Sequence, residues 1–179
     1  MAPDSEADPR PSIMASTLLT HRPAPPLSSY VEQFWYLEGW LGPHQRERVL
    51  PGGRLQLLID LTRGTEAVVG ARSQYIKIDT AAIHSVIGVY FWPGGTRTLF
   101  DVPAGDFYNQ IVPLDLVRGW SATQLRDRLR EKTSRAEKFR VLESALLERV
   151  GQNERIDLHA AVRYELGKFQ GRDHLSVPS

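Results

Sequence analysis

The order of periodicities along the chain predicts an α+β domain, an antiparallel sheet or small barrel followed by amphipathic helices. Three observations carry that expectation. Residues 47–92 break into short β-branched and aromatic runs between turn residues, "LQLLIDL" alternates apolar with polar positions, and beyond residue 103 the apolar spacing lengthens to three and four. The bulk numbers suit such a domain: 179 residues, 41% hydrophobic and 24% charged, are enough to bury one core. A net charge of +1 advertises neither nucleic acid nor cations. The absence of cysteine removes disulfides, thiolate metal sites and cysteine nucleophiles together.

Taken in order, residues 1–16 mix prolines, acids and small residues and read as a disordered tail, with no apolar stretch of signal-peptide length. No run approaches the roughly 18 apolar residues of a membrane span, so a cytoplasmic protein is expected. The prolines of "HRPAPP" favour an extended lead-in, and the β-favouring run Phe34-Trp35-Tyr36-Leu37 predicts a strand. "RVL", "RLQLLIDL", "AVVGA", "QYIKID" and "IHSVIGVYFW" predict further strands. Leu55, Leu57, Ile59 and Leu61 share one face of the second of these, with Gln56 and Asp60 on the other. "VIGVYFW" is apolar or aromatic on both faces, which predicts a central strand, with Gly88 allowing close backbone approach or a bulge.

After about residue 100 helices are expected. Pro103 suits the first position of a short helix over "PAGDFYN", weakened by Gly105. In "SATQLRDRLREK", Ser121 and Gln124 have capping-box spacing and Leu125 and Leu129 stack four apart. "SRAEKFRVLESALLERVG" repeats the design with Ser134 and Glu137, an apolar stripe of Phe139, Leu142, Leu146 and Val150, and Gly151 as a stop. A third helix over "DLHAAVRYELGKFQG" would start from Asp157 and carry Leu158, Val162, Leu166 and Phe169 on one stripe.

Chemistry is harder to place. Two Pro-Gly-Gly triplets, 51–53 and 93–95, raise the question of a phosphate loop, but neither is followed by a lysine or a helical pattern, so both read as turns. The five histidines, His21, His44, His84, His159 and His174, are scattered and show no H-x-H or H-E-x-x-H spacing, so no metal is expected. No G-x-S-x-G elbow accompanies Ser85 beside His84, and no catalytic residues emerge. The aromatic content of the strand region is more suggestive, because small-molecule pockets are apolar with a few orienting polar groups. Trp35, Tyr75, Tyr90 and Trp92 would form such walls and Arg54 and Gln56 would orient a ligand, with Arg48, Arg72 and Gln74 as further polar groups. The alternative is that these aromatics fill a core. The stripe Leu125, Leu129, Phe139, Leu142 and Leu146 packs on the sheet by default, or forms a symmetric dimer contact.

Four segments in order, "PPLSSYVEQFWYLEGW", "RVLPGGRLQLLIDL", "VVGARSQYIKID" and "IGVYFWPGGTRTLFDVPAGDFYNQIVPLD", resemble the N-terminal domain of AraC-type bacterial transcription regulators over residues 22–170. The resemblance implies a cupin-like antiparallel β-barrel or sheet followed by helices. It implies a non-enzymatic domain at residues 17–151 that senses a small organic effector, mediates dimerisation, or both, without a cofactor. Residues 152–179 would be a linker helix approaching the DNA-binding domain. In the family two helix-turn-helix units follow the sensor, and "LHAAVRYELGKFQGRDHLSVPS" resembles only the approach to the first, so DNA contact would run through units outside these residues. Tyr90 stands where an arginine is common in the family's "GVRF" segment, so no polar role carries over to it. A ligand-free association module and a cupin-type metal-binding enzyme are the alternatives.

Overall fold

The structure, a computed structural model, describes residues 17–40, 47–78 and 83–152. Strands β1 (Thr17–His21), β2 (Val31–Trp40), β3 (Glu47–Val49), β4 (Gln56–Asp60), β5 (Thr65–Val69), β6 (Ile76–Ile78), β7 (Ile83–Phe91) and β8 (Ile111–Pro113) are joined by helices α1 (Thr96–Phe100), α2 (Ala122–Arg130) and α3 (Arg135–Gln152). Six strands form an antiparallel sheet in the order β1-β2-β7-β4-β5-β8, and β3 pairs with β6 in a two-stranded ribbon. The α+β class and the strand-then-helix order are those the sequence predicts.

β7 is central, as its two-faced apolar pattern requires: it pairs with β2 on one side and β4 on the other. Partners directly opposite one another share a face. Phe34, Val89, Leu57 and Val68 therefore line up across the sheet on one face, next to Tyr36, Ile87 and Ile59. Leu125, Leu129, Phe139, Leu142 and Leu146 pack on this face, and the whole set forms one buried cluster. Phe91 meets Phe100 edge to face at 5.3 Å. Polar ties hold the helices in place. Glu66, on the same face, accepts from Arg126 at 2.9 Å, and the Leu61 carbonyl accepts from Arg130 at 2.6 Å.

The ribbon continues the β4–β5 hairpin. Both legs pass a corner, at Pro51-Gly52-Gly53 and at Gly70, where the Arg72 N–H donates to the Gly52 carbonyl at 2.9 Å. Gln56 pairs with Tyr90 near the end of β7.

Several expectations need correction. The second Pro-Gly-Gly is followed by a helix after all: Gly94 takes the positive φ of 82° that the turn needs, and Gly95 caps α1. Five residues rich in β-branched threonine, with no side-chain cap, leave no helical pattern to read. Neither Gly52 nor Gly53 has a left-handed φ, so the first triplet is a corner and not a type II turn. Pro103 precedes only a 3-10 turn, Ala104–Phe107, and the strands do not stop near 100, because β8 follows. β1 and β8 gave no strand signal of their own. Gly151 does not stop α3, which reaches Gln152. The tail at 1–16 and the third helix from Asp157 lie outside the described residues.

Both helix starts hold. The Ser134 hydroxyl accepts from the Glu137 N–H at 3.2 Å while Glu137 Oε2 accepts from the Ser134 N–H at 3.2 Å. The Ser134 hydroxyl, which also donates to Glu137 Oε2 at 2.7 Å, and the Ser134 N–H together keep the Glu137 carboxyl below its usual range. At α2, Ser121 Oγ accepts from the Gln124 N–H, and Asp115 adds a second cap by accepting from the Ala122 N–H at 2.7 Å. At the far end of α3, Arg149 is buried without a carboxylate in ion-pair contact among the described residues. It donates to the carbonyls of Leu99 at 3.4 Å, Arg118 at 3.1 Å and Gly119 at 3.4 Å, and lies over the Trp120 ring. Burial pushes its pKa down, opposed by Asp101.

The core assignment sets an expected contrast. Leu142→Ala should lower unfolding free energy by about 2–5 kcal/mol, while Leu147→Ala, at a residue 41% exposed on the same helix, should stay within about 0.5 kcal/mol. Urea denaturation of the two variants measures the difference.

Candidate functional site

The face of the sheet turned away from the helices holds most of the ligand candidates. Its rows run Gln33–Tyr90–Gln56–Val69 and, next to it, Trp35–Gly88–Leu58–Ala67. Trp35, Gln56, Leu58 and Tyr90 are half-buried there, whereas Ala67 and Val69 are buried. Gly88 is the platform: a Cβ on it would fall inside the Trp35 indole, so the ring lies on bare backbone. The close approach read from the sequence is therefore made by a side chain of the neighbouring strand.

Tyr90 stands beside Trp35 with ring centroids 6.1 Å apart, and the Arg54 guanidinium lies over Tyr90 at 5.6 Å. Arg54 Nε is held 3.2 Å from Glu32 Oε2. An ion pair with an exposed arginine adds at most about 1 kcal/mol to stability, so its effect is to orient the guanidinium. Burial raises the Tyr90 hydroxyl above its ordinary pKa of 10.0, with Arg54 lowering it and Glu32 raising it.

One atom in this cluster is out of balance. The Trp35 Nε1–H is enclosed and finds no hydrogen-bond partner among the described residues. An indole N–H can only donate, and leaving such a donor buried and unmade costs about 1–3 kcal/mol. Trp120, by contrast, donates its Nε1–H to the Leu99 carbonyl at 3.2 Å. Arg72 Nε, in the loop beyond β5, is likewise enclosed without a partner among the described residues.

Of the six predicted ligand residues, the structure joins four: Trp35, Tyr90, Gln56 and Arg54. Tyr75 belongs to another pair, under the Arg48 guanidinium at 4.8 Å and 46% exposed. Trp92, one residue past β7, anchors the turn through its backbone, donating to the Tyr30 carbonyl and accepting from the Gly95 N–H. Glu32 escaped sequence reading because it is the extra residue of a bulge between Val31 and Gln33, where no alternation pattern applies. The proposed association stripe, Leu125, Leu129, Phe139, Leu142 and Leu146, is 0–7% exposed inside this chain's own core, so a partner has no access to it in this fold. Among the described residues no group of three His, Asp or Glu side chains stands close enough to hold a metal ion. None of their helices is long and apolar enough to cross a membrane.

Residues 19–113 match the family described as Domain of unknown function (DUF6597), which takes in more than half of the chain. The chain belongs to that family. The DUF6597 span runs from β1 to the end of β8 and stops short of α2 and α3. It thus contains the whole Trp35–Tyr90 face. No curated protein and no solved structure matches the chain.

Two outcomes test the geometry. Gly88→Ala should displace the indole and cost about 1–3 kcal/mol, read as a lower denaturation midpoint and altered tryptophan fluorescence. Tyr36 and Tyr90 both have pKa values raised by burial, so the fold favours the neutral phenols. Their contribution is complete below a pH of about 10 and is lost as pH rises through the raised values. Stability measured from pH 9 to 11.5 should fall, and fall less in Tyr90→Phe.

Proposed function

We propose that this DUF6597 chain is the regulatory N-terminal domain of an AraC-type transcription regulator, binding a small organic effector on the Trp35–Tyr90 face of its sheet. The observation that carries the reading is the enclosed, unpartnered Trp35 Nε1–H among aromatic walls and orienting polar groups. The order of the "RVLPGG", "GVYFWPGG" and "IVPLD" segments supports the regulator family. The reading is non-enzymatic and cytoplasmic and needs no cofactor, and DNA is reached through helix-turn-helix units outside these residues.

Effector binding would reach the helices through the sheet itself. Trp35 and Tyr90 project from the same strands whose opposite faces carry Phe34 and Val89 under α2 and α3. A ligand that favours one strand arrangement thereby favours one helix position, which is the differential affinity that switching demands. Self-association with a second copy belongs to the same reading and uses a surface other than the buried stripe.

A thermal-shift screen tests it. A compound present at about 100 times its Kd adds about 2.7 kcal/mol, a rise in Tm of roughly 5–10 °C for a domain of this size. That rise should vanish in Trp35→Phe. A broad library of small organic molecules that stabilises nothing overturns the sensing reading.

A further inference from the structure

We propose that the Trp35–Tyr90 face selects a neutral ring compound that presents a carbonyl oxygen to the Trp35 indole N–H. This rests on the sensing reading and adds the chemistry of the effector. The acceptor follows from the indole: Trp35 Nε1–H has no partner among the described residues and can only donate, while the indole of Trp120 is satisfied by a backbone carbonyl at 3.2 Å. A ligand carbonyl would supply to Trp35 what Leu99 supplies to Trp120.

The ring follows from the walls. Trp35 and Tyr90 stand 6.1 Å apart with their planes tilted by 32°, over a sheet that Gly88 keeps bare, and aromatic surfaces of this kind favour offset or edge contacts with a flat partner. Neutrality follows from the charges. Arg54 and Glu32 already compensate each other at 3.2 Å, and Arg54 is laid over Tyr90. An anionic ligand would compete with Glu32 for Arg54, and a cationic one would compete with Arg54 for both Glu32 and Tyr90. Since the N–H is closed to solvent and meets no acceptor among the described residues, the groups that enclose it must shift as the carbonyl arrives, which couples occupancy to conformation.

The test uses the full chain labelled with 15N and four probes built on one phenyl ring: benzamide, benzoate, benzylamine and toluene. The Trp35 indole resonance is assigned by its disappearance in Trp35→Phe. Benzamide is expected to move that resonance and to bind on the order of tenfold tighter than toluene, the advantage of satisfying a buried donor. In Trp35→Phe the tenfold difference should disappear while toluene binding persists. If that variant fails to fold, the wild-type resonance and the ranking of the four probes decide alone. Benzoate or benzylamine binding tighter than benzamide, or toluene binding as tightly, overturns the ligand class and leaves the sensing reading standing. Failure of all four to perturb Trp35 also overturns the ligand class, and the sensing reading falls with it only if the wider library stabilises nothing.

Discussion

Because β7 pairs with β2 along one edge and with β4 along the other, every residue in it is committed to one of two environments. Ile87, Val89 and Phe91 go to the helices, and Gly88 and Tyr90 go to the other side. A slip of one residue would exchange the two sets, sending glycine and a phenol into the hydrocarbon core and three large apolar side chains under the indole. Neither face tolerates that. The register of this one strand therefore fixes both the core and the candidate site, and the outer strands and the helices are built around it.

Much of this was legible because period-two alternation and capping boxes are local signals. Leu55, Leu57, Ile59 and Leu61 are buried as their spacing requires, and Ser134 with Glu137 begins α3. What the sequence hid depends on neighbours distant in the chain. β1 is a strand because β2 offers it a free edge, and β8 because β5 does. α1 is a helix by context, packed between sheet and α3 with its residues too few and too β-branched to declare themselves. In the site, the aromatic residues were visible by type, but only the pairing of β2, β7 and β4 separates the joined group of Trp35, Tyr90 and Gln56 from Tyr75. The bulge that carries Glu32 to Arg54 left no trace in the pattern at all.

The same locality explains why the helical stripes were open to two readings. An apolar stripe states that a side of a helix leaves water, not what covers it. Here the sheet covers it, and the β1 edge is drawn in as well, with His21 stacked on Phe139 at 5.5 Å and bonded to Glu143 at 2.9 Å. The side of the sheet that carries Trp35 and Tyr90 is the one that no helix needs.

Arg149 fastens α3 in a different currency from His21. The histidine tie to Glu143 joins an exposed side chain to a half-buried one, and the electrostatic part of such a tie weakens with added salt. The arginine holds three neutral carbonyls from Leu99, Arg118 and Gly119 and stays charged across the whole physiological range. One end of α3 is thus fastened by a contact that responds to the medium and the other by one that ignores it. Added salt would loosen the helix first along its N-terminal half, hinging it on Arg149.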